Sequence, residues 1–289
     1  MSWFGSFAVA RLPRYWRRLS PRWNERRRIV MDGYYRERCQ SVWVGDDTVL
    51  ATVLGRYKMY VDARDMSVAA HLMTNGYWEI GVTEALNAVL RRPMTVCDVG
   101  ANHGYFSLVM AEKCRAGKVH SFECNPRLSD LLRRNVLVNG IGHQVVRHDY
   151  PLGAEDGREL YLVWEDELSG GGHLIEQAAI AGRRYLTLQT RRLDAIEGAR
   201  DADAVKIDAE GSEPAIWEGM AGMIAGTRLH IVFLEFAPIR YPDPAAFLRR
   251  ITDAGFALAY IDDMRGIVSA TTDDILNGSR HEWMLLLRR

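Results

Sequence analysis

Three short stretches of this 289-residue chain combine residue types that could do chemistry. The first is Asp98-Val99-Gly100-Ala101-Asn102-His103-Gly104, which follows an apolar run. The second is Glu123, which closes the next apolar run. The third is Lys206-Ile207-Asp208-Ala209-Glu210, continued by Gly211-Ser212-Glu213. A glycine-bearing turn between strand and helix lets a ligand approach the backbone, and the free N–H groups and positive end of the helix face it. Glu123 lies 19 residues beyond Gly104, so one βαβ unit carries both. A carboxylate at that strand end can accept both hydroxyls of a ribose.

Three readings of the turn compete. A P-loop needs Gly-Lys-Ser/Thr, and Gly104-Tyr105-Phe106 stands there instead. A dinucleotide site needs G-x-G-x-x-G, whose middle glycine makes room for a pyrophosphate; here Ala101 and Asn102 fill the turn, and Asp98 adds a charge that would repel a diphosphate. An acid facing the pocket suits a ligand with a cationic amino group, such as the methionine end of S-adenosylmethionine (SAM). That reading leads, with a dinucleotide and a purely structural turn as alternatives.

Methyl transfer from a sulfonium asks the protein mainly to align an acceptor lone pair. A hydroxyl acceptor also needs its proton removed. Asp208 and Glu210 are the catalytic candidates, weighed against simple capping of the next helix; for Glu213 the capping reading is preferred. Lys206, in mid-strand, could neutralise either acid. His173 follows Gly170-Gly171-Gly172 in a glycine-rich lid and is a further base candidate, against the plain alternative of a surface histidine. At His103 the backbone matters more than the ring.

The elements that position these residues are set by periodicity and punctuation. Residues 41–44, 49–54 and 57–61 read as a small antiparallel meander, and 66–73 and 79–91 as helices. Beyond Pro93, strands at 95–99, 118–122, 144–147, 204–207, 229–234, 256–261 and 282–287 alternate with helices at 105–114, 128–138, 213–224 and 244–254. β-like pieces at 159–163 and 184–189 flank the glycine-rich loop. Repeating strand–helix units predict an α/β fold with a mostly parallel sheet covered on both faces. Residues 1–75 form a basic arm and small β-meander extension, and 76–289 the main domain.

With 48% hydrophobic and 26% charged residues, the composition excludes collagen-like, low-complexity and disordered classes. The net charge of zero conceals a split: residues 1–40 hold ten Arg against three acids, and the remainder 27 basic against 34 acidic side chains. Cys39, Cys97, Cys114 and Cys124 form no C-x-x-C pair, and Cys97 reads as a core residue. No apolar run is long enough to span a bilayer. The short apolar stretch 3–10 precedes its arginines, the reverse of a signal peptide. A cytoplasmic body is expected. In the head, Trp3, Phe4, Phe7, Tyr15, Trp16 and Trp23 interleave with Arg11 to Arg28. This suits packing on the body, a homodimer contact, or a peripheral membrane surface; no nucleic acid partner is expected.

The motifs together resemble the FkbM family of SAM-dependent methyltransferases. The likeness rests on Asp98 to Gly104, on Phe122-Glu123-Cys124-Asn125-Pro126, and on Asn139-Gly140. It continues in Leu193-Asp194, in Lys206 to Glu213, and in Leu234-Glu235-Phe236-Ala237-Pro238, with Gly76-Tyr77-Trp78-Glu79 upstream. It covers about residues 57–260. Cys124, where proline is usual, and Tyr150-Pro151 depart from the pattern. The resemblance implies a Rossmann-like class I fold with a seven-stranded, mostly parallel sheet. It places Asp98, Gly100, Ala101, Asn102 and Gly104 around the methionine part of SAM, Glu123 on the ribose with Asn125 in the same set, and Asp149 towards the adenine amine. Asp208 with Asp149 or Glu235 could hold Mg²⁺, although the spacing demands no metal. The expected reaction is O-methylation of a hydroxyl on a sugar, glycan or other secondary metabolite. The alternatives are methylation of an amine or protein side chain, a dinucleotide-dependent oxidoreductase, and a non-catalytic cofactor-binding module.

Overall fold

Helix α1 (Pro21–Arg38) leads into a meander of β1 (Ser41–Gly45), β2 (Thr48–Val53) and β3 (Tyr57–Asp62), then α2 (Val68–Thr74) and α3 (Ile80–Val89). The computed structural model describes residues 21–165, 171–176 and 185–289, with only the backbone of 21–26. The aromatic arm up to residue 20, Gly170 and the side chain of Trp23 lie outside the described residues.

The meander is packed into the main domain rather than standing apart from it. Val49, Ala51, Val53, Met59 and Val61 are buried in one apolar cluster with Leu86, Val96, Tyr105 and Leu108. Its last strand is closed by a helix. Asn135 and Asn139 stand one turn apart on α5 (Pro126–Val138) and at its C-terminus, and they pair with the β3 backbone as another strand would. Asn135 accepts from Tyr60 N at 2.6 Å and donates to Tyr60 O at 2.9 Å; Asn139 does the same for Lys58 at 3.1 and 2.7 Å. An edge that could recruit another chain is thereby occupied.

The remaining elements, in chain order, are β4 (Val96–Val99), α4 (Tyr105–Lys113), β5 (Val119–Phe122), α5, β6 (Val145–His148), β7 (Glu159–Val163), β8 (His173–Ile175), β9 (Tyr185–Gln189) and β10 (Ala204–Ile207). Then come α6 (Glu213–Glu218), α7 (Ala221–Ala225), β11 (Ile231–Phe236), α8 (Pro244–Asp253), β12 (Ala257–Asp262), β13 (Gly266–Ser269), α9 (Thr272–Leu276) and β14 (Trp283–Arg288). The main sheet has the order β13-β12-β14-β11-β10-β4-β5-β6. Strands β6, β5, β4, β10 and β11 are parallel, and β14 enters antiparallel between β11 and β12. This is the Rossmann-like class I arrangement with one strand more than expected: β13 returns from β12 as an edge hairpin. The β-like pieces around the glycine-rich loop form their own sheet, β8-β7-β9, outside the main one. The expected helix at 213–224 is broken at Gly219, whose Cα presses so close to Gly153 that a Cβ would lie 2.0 Å from the Gly153 carbonyl oxygen.

Alternation along the strands divides the core. Val96 and Ala204 face the layer holding α4, whereas Cys97, Val205 and Ile207 face the layer holding α6 and α8. From β4 the chain runs outward to β5 and β6, and from β10 in the opposite sense to β11. The carboxyl ends of β4 and β10 therefore open a crevice between diverging loops, the usual ligand position in such sheets. Among the described residues, no helix is long and apolar enough to cross a membrane.

Candidate active site

Beneath that crevice runs a row of polar side chains, set side by side by register. Ser121 on β5, Asp98 on β4 and Lys206 on β10 are neighbours across three parallel strands. Ser107 from α4 donates to Asp98 Oδ2 at 2.6 Å and lies 2.7 Å from Ser121 Oγ. Lys206 Nζ stands 2.8 Å from Asp208 Oδ2, 4.0 Å from Asp98 Oδ1 and 4.8 Å from the centre of the Phe106 ring. Lys206 is 1% exposed. Burial alone would drive its proton off, but Asp208 and Asp98 outweigh this and raise its pKa, so the ammonium persists. Burial pushes the Asp98 carboxyl up, with Lys206 opposing. A buried charge that loses its partner is costly, so these three residues act as a unit.

The turns above the row are held by close approach. Gly100 has φ +73°, and a Cβ on it would sit 1.7 Å from the Asp208 carbonyl oxygen; only glycine lets the β4 and β10 loops touch. Glu123 ties the next loop. Its Oε2 accepts from Asn102 N and its Oε1 from Asn125 N, both at 2.8 Å, and burial pushes the carboxyl up to about 7. Asn125 caps α5 by accepting from Arg127 N at 3.0 Å, while its buried Nδ2 has no partner. The His103 ring was not among the expected site groups, yet it is fully buried, and its Nε2 accepts from Asp62 N at 3.1 Å. Burial holds it down at about 4, so it joins the meander to the turn as a neutral ring. Burial would raise Asp62, but Arg64 and Arg127 grip it and keep it at about 2.

Towards β11 the crevice becomes densely charged. Asp208 is about a quarter exposed into it. Arg240 bridges three carboxylates: Glu210 at 2.9 Å, Glu235 at 2.8 Å and Glu282 at 2.8 Å. Burial, partly opposed by Arg240, pushes Glu210 up to about 7. Burial with Asp208 and Glu210 nearby takes Glu235 to about 9. Glu213 faces inward. It accepts from Ala209 N at 2.8 Å, Gly211 N at 3.0 Å and Tyr241 Oη at 3.0 Å, and so braces the loop that carries Asp208 and Glu210. Together these walls enclose a cleft of about 400 Å³, a volume usual for small-molecule sites.

A family model, the methyltransferase FkbM domain, matches residues 98–258, more than half of the chain and all of the β4, β5 and β10 loops just described. The chain belongs to the FkbM methyltransferase family. Solved structures with similar topology include an FkbM methyltransferase from Methylobacillus flagellatus KT, at 13% identity and TM-score 0.45 over 70% of this chain and 45% of that one. TYW2 from M. jannaschii in complex with AdoMet is 11% identical, with TM-score 0.42 over 85% of this chain and 86% of that one. TYW2 from P. horikoshii in complex with MeSAdo is 14% identical, with TM-score 0.43 over 96% and 84%. The chain spans less than half the length of the first. Likenesses this faint add nothing to the family assignment. No curated protein matches the chain.

In this FkbM methyltransferase, Gly100, Ala101, Asn102, Glu123, Asn125, Asp208 and Glu210 all line the cleft. Asp98 does not, because its side chain points to the α4 layer and lies under the floor. Gly104 stands at the start of α4 against Leu132, where a Cβ would lie 2.4 Å from Leu132 Cδ1. Asp149 is exposed and outside the lining, and Tyr150, Pro151 and Leu152 line it instead. His173 is exposed at the start of β8, and its neighbours Gly171, Gly172 and Leu174 take the lining positions. Trp78 and Glu79, ahead of the matched domain, complete the opposite wall. Among the described residues, no group of three His, Cys, Asp or Glu side chains could hold a metal ion. Asp149 is thus not in the cleft to share an ion with Asp208.

Proposed function

We propose that this methyltransferase methylates a hydroxyl on a sugar, glycan or other secondary metabolite, with Asp208 as the general base. The observation that carries the reading is the Lys206–Asp208 pair: a carboxylate that opens into the cleft, fixed from below by a fully buried ammonium. The residues fit the cofactor. Glu123 keeps unused lone pairs on both oxygens for ribose hydroxyls, and the unpartnered Asn125 amide stands beside it. The turn Gly100 to Asn102 would hold the methionine part. Bound there, SAM supplies a methyl group already activated on a sulfonium. The protein's remaining tasks are to orient the acceptor oxygen, exclude water and take up its proton. Asp208 would accept that proton, with Lys206 holding its other contacts still, a contribution of roughly 10² to 10⁴ in rate. Glu210, tied to Arg240, would shape the acceptor side rather than act as the base.

The test is a transfer assay with labelled SAM over neutral sugars, amino sugars, lipid-linked glycans and cell extract, with mass spectrometry placing the methyl group. A product carrying the label on oxygen is expected. A label found only on nitrogen or on a protein side chain would overturn the acceptor assignment.

A further inference from the structure

Away from the cleft, the most uneven distribution of charge lies at the amino-terminal end. Residues 1–31 carry eight arginines against a single acid, Glu25, a net charge of +7, whereas residues 32–289 carry −7. Arg11, Arg14, Arg17 and Arg18 fall outside the described residues, and the other four belong to α1. A head of this kind is drawn to an anionic surface that repels the acidic remainder, which confines contact to one end of the molecule.

Helix α1 is fastened to the body by one face. Arg28 stands 3.6 Å from Glu84 on α3 and 3.5 Å from Asp263 in the β12–β13 turn, and Arg27 also reaches Glu84. Asp32 accepts from Tyr77 Oη at 2.5 Å, and the Tyr35 ring lies 5.9 Å from that of Tyr77. Positions 28, 32 and 35 recur at the helical period and mark the inward side. Ile29 and Val30 are turned out, 66% and 71% exposed, and a Cβ on Gly33, one turn further on, would meet nothing within 4 Å. A helix packed on its own domain ordinarily shows polar residues on that side. An exposed aliphatic pair among arginines is instead the arrangement of helices that lie in lipid headgroups. The inward face also leads to the cleft: Tyr77 is followed directly by Trp78 and Glu79, which line it, so a docked α1 brings that wall close to the lipid.

We infer that α1, with the arginines that precede it in the sequence, docks the chain on an anionic lipid surface, Ile29 and Val30 entering the headgroup layer. The inference goes beyond the methyl-transfer reading and does not depend on it. Each arginine close to such a surface is worth roughly fivefold in affinity. The aliphatic pair adds a part that salt does not screen. A nucleic acid would use the arginines alone, so the exposed pair is what favours lipid.

Flotation of the full chain with lipid vesicles tests it without cofactor or acceptor. Binding is expected to phosphatidylcholine vesicles containing about one-third phosphatidylserine, not to pure phosphatidylcholine, and should weaken as salt is raised. Arg17→Gln with Arg18→Gln should weaken it roughly 25-fold. Ile29→Gln with Val30→Gln changes no charge; it should weaken vesicle binding about tenfold, leave binding to a DNA duplex unchanged and leave the unfolding midpoint where it was. Should that double variant not fold, Val30→Gln alone should weaken vesicle binding about threefold. A wild-type chain that does not float with the anionic vesicles would overturn the inference, and a concentration-dependent dimer found by sedimentation in its place would assign the exposed pair to a second copy. A folded Ile29→Gln, Val30→Gln chain that binds vesicles within twofold of wild type would overturn lipid as the partner and leave a general attraction to polyanions.

Discussion

The two ends of the cleft are built on opposite principles. At the β5 and β6 end the lining is mostly apolar: Phe122, Leu128, Tyr150, Leu152 and Leu162 surround one acid, Glu123, whose carboxyl burial pushes up to about 7, with histidines held uncharged behind them. At the β10 and β11 end, Asp208, Glu210, Glu235 and Glu282 crowd around Lys206 and Arg240. A mostly apolar, aromatic surface gains from contact area and shape, and so suits holding a ligand. Opposed charges in a site shielded from water gain from exact placement of charge, and so suit chemistry in which a proton moves. The difference teaches that binding and turnover should separate along the sheet. Substitutions at the two ends should therefore fail in different assays.

The change expected to break both ends at once is Gly100→Ala. It puts a methyl group 1.7 Å from the Asp208 carbonyl oxygen at a φ that side chains avoid. Separating those loops should cost more than about 4 kcal/mol and abolish binding of S-adenosylhomocysteine. Wild-type affinity in that variant would show that the two loops are not coupled. Next in size is Asp208→Asn. It should lower kcat roughly 10²- to 10⁴-fold on whichever acceptor is found, and leave S-adenosylhomocysteine affinity within twofold. A parallel loss of both would move Asp208 from the chemical end to the binding end.

Much of the fold was legible in the sequence because each short strand closes on its own local signal. The strand at 204–207 falls where β10 does, and Asn139-Gly140 ends α5, with Gly140 at φ +69°. What escaped was phase and partnership. Asp149 and His173 were expected in the cleft, whereas Tyr150 and Leu174, each one residue along, line it. In an extended chain a single step reverses the side on which a residue faces, and composition does not record the phase. Asp98 is the same problem in depth: its strand was clear, but not that α4 would cover its side chain. Arg240 and the Asn135–Asn139 pair were missed for another reason. Arg240 reaches Glu282, 42 residues away, as well as the nearby Glu235, and the asparagines reach 75 to 81 residues back to β3; no local pattern anticipates contacts of the longer range.

Glu213 sharpens the comparison, because it is an acid at the charged end without a chemical task. Removing its three accepted bonds by Glu213→Ala leaves buried N–H groups unpaired, and should cost about 2–4 kcal/mol in thermal or denaturant unfolding. Binding of S-adenosylhomocysteine to the folded fraction should hold within a few fold. A variant as stable as wild type would return Glu213 to a surface role.

The smallest expected effect is a dependence on pH that should distinguish the ends even without ligand. Glu235 is raised to about 9 and Glu210 to about 7, both by burial, from an unfolded value near 4.5. Groups raised in this way contribute stability that is complete below about pH 4.5 and is lost as pH rises through their folded values. His148 and His103, both near 4 against an unfolded 6.5, work in the other direction. Their contribution is present above about pH 6.5 and is lost as pH falls through 4. The unfolding midpoint of the ligand-free chain should therefore decline on both sides, on the alkaline side because of Glu235 and Glu210 together with Glu123, and on the acid side because of the buried rings together with Asp62. Glu235→Gln removes one of the alkaline terms. Comparing midpoints at pH 5.5 and 8.5, it should flatten the alkaline decline by about 2–4 °C, on the order of 1 kcal/mol for a chain of this size, and leave the acid limb unchanged. Alkaline limbs that run parallel in the two proteins would mean that Arg240 already keeps Glu235 ionised, and that the charged end is compensated more completely than its burial implies.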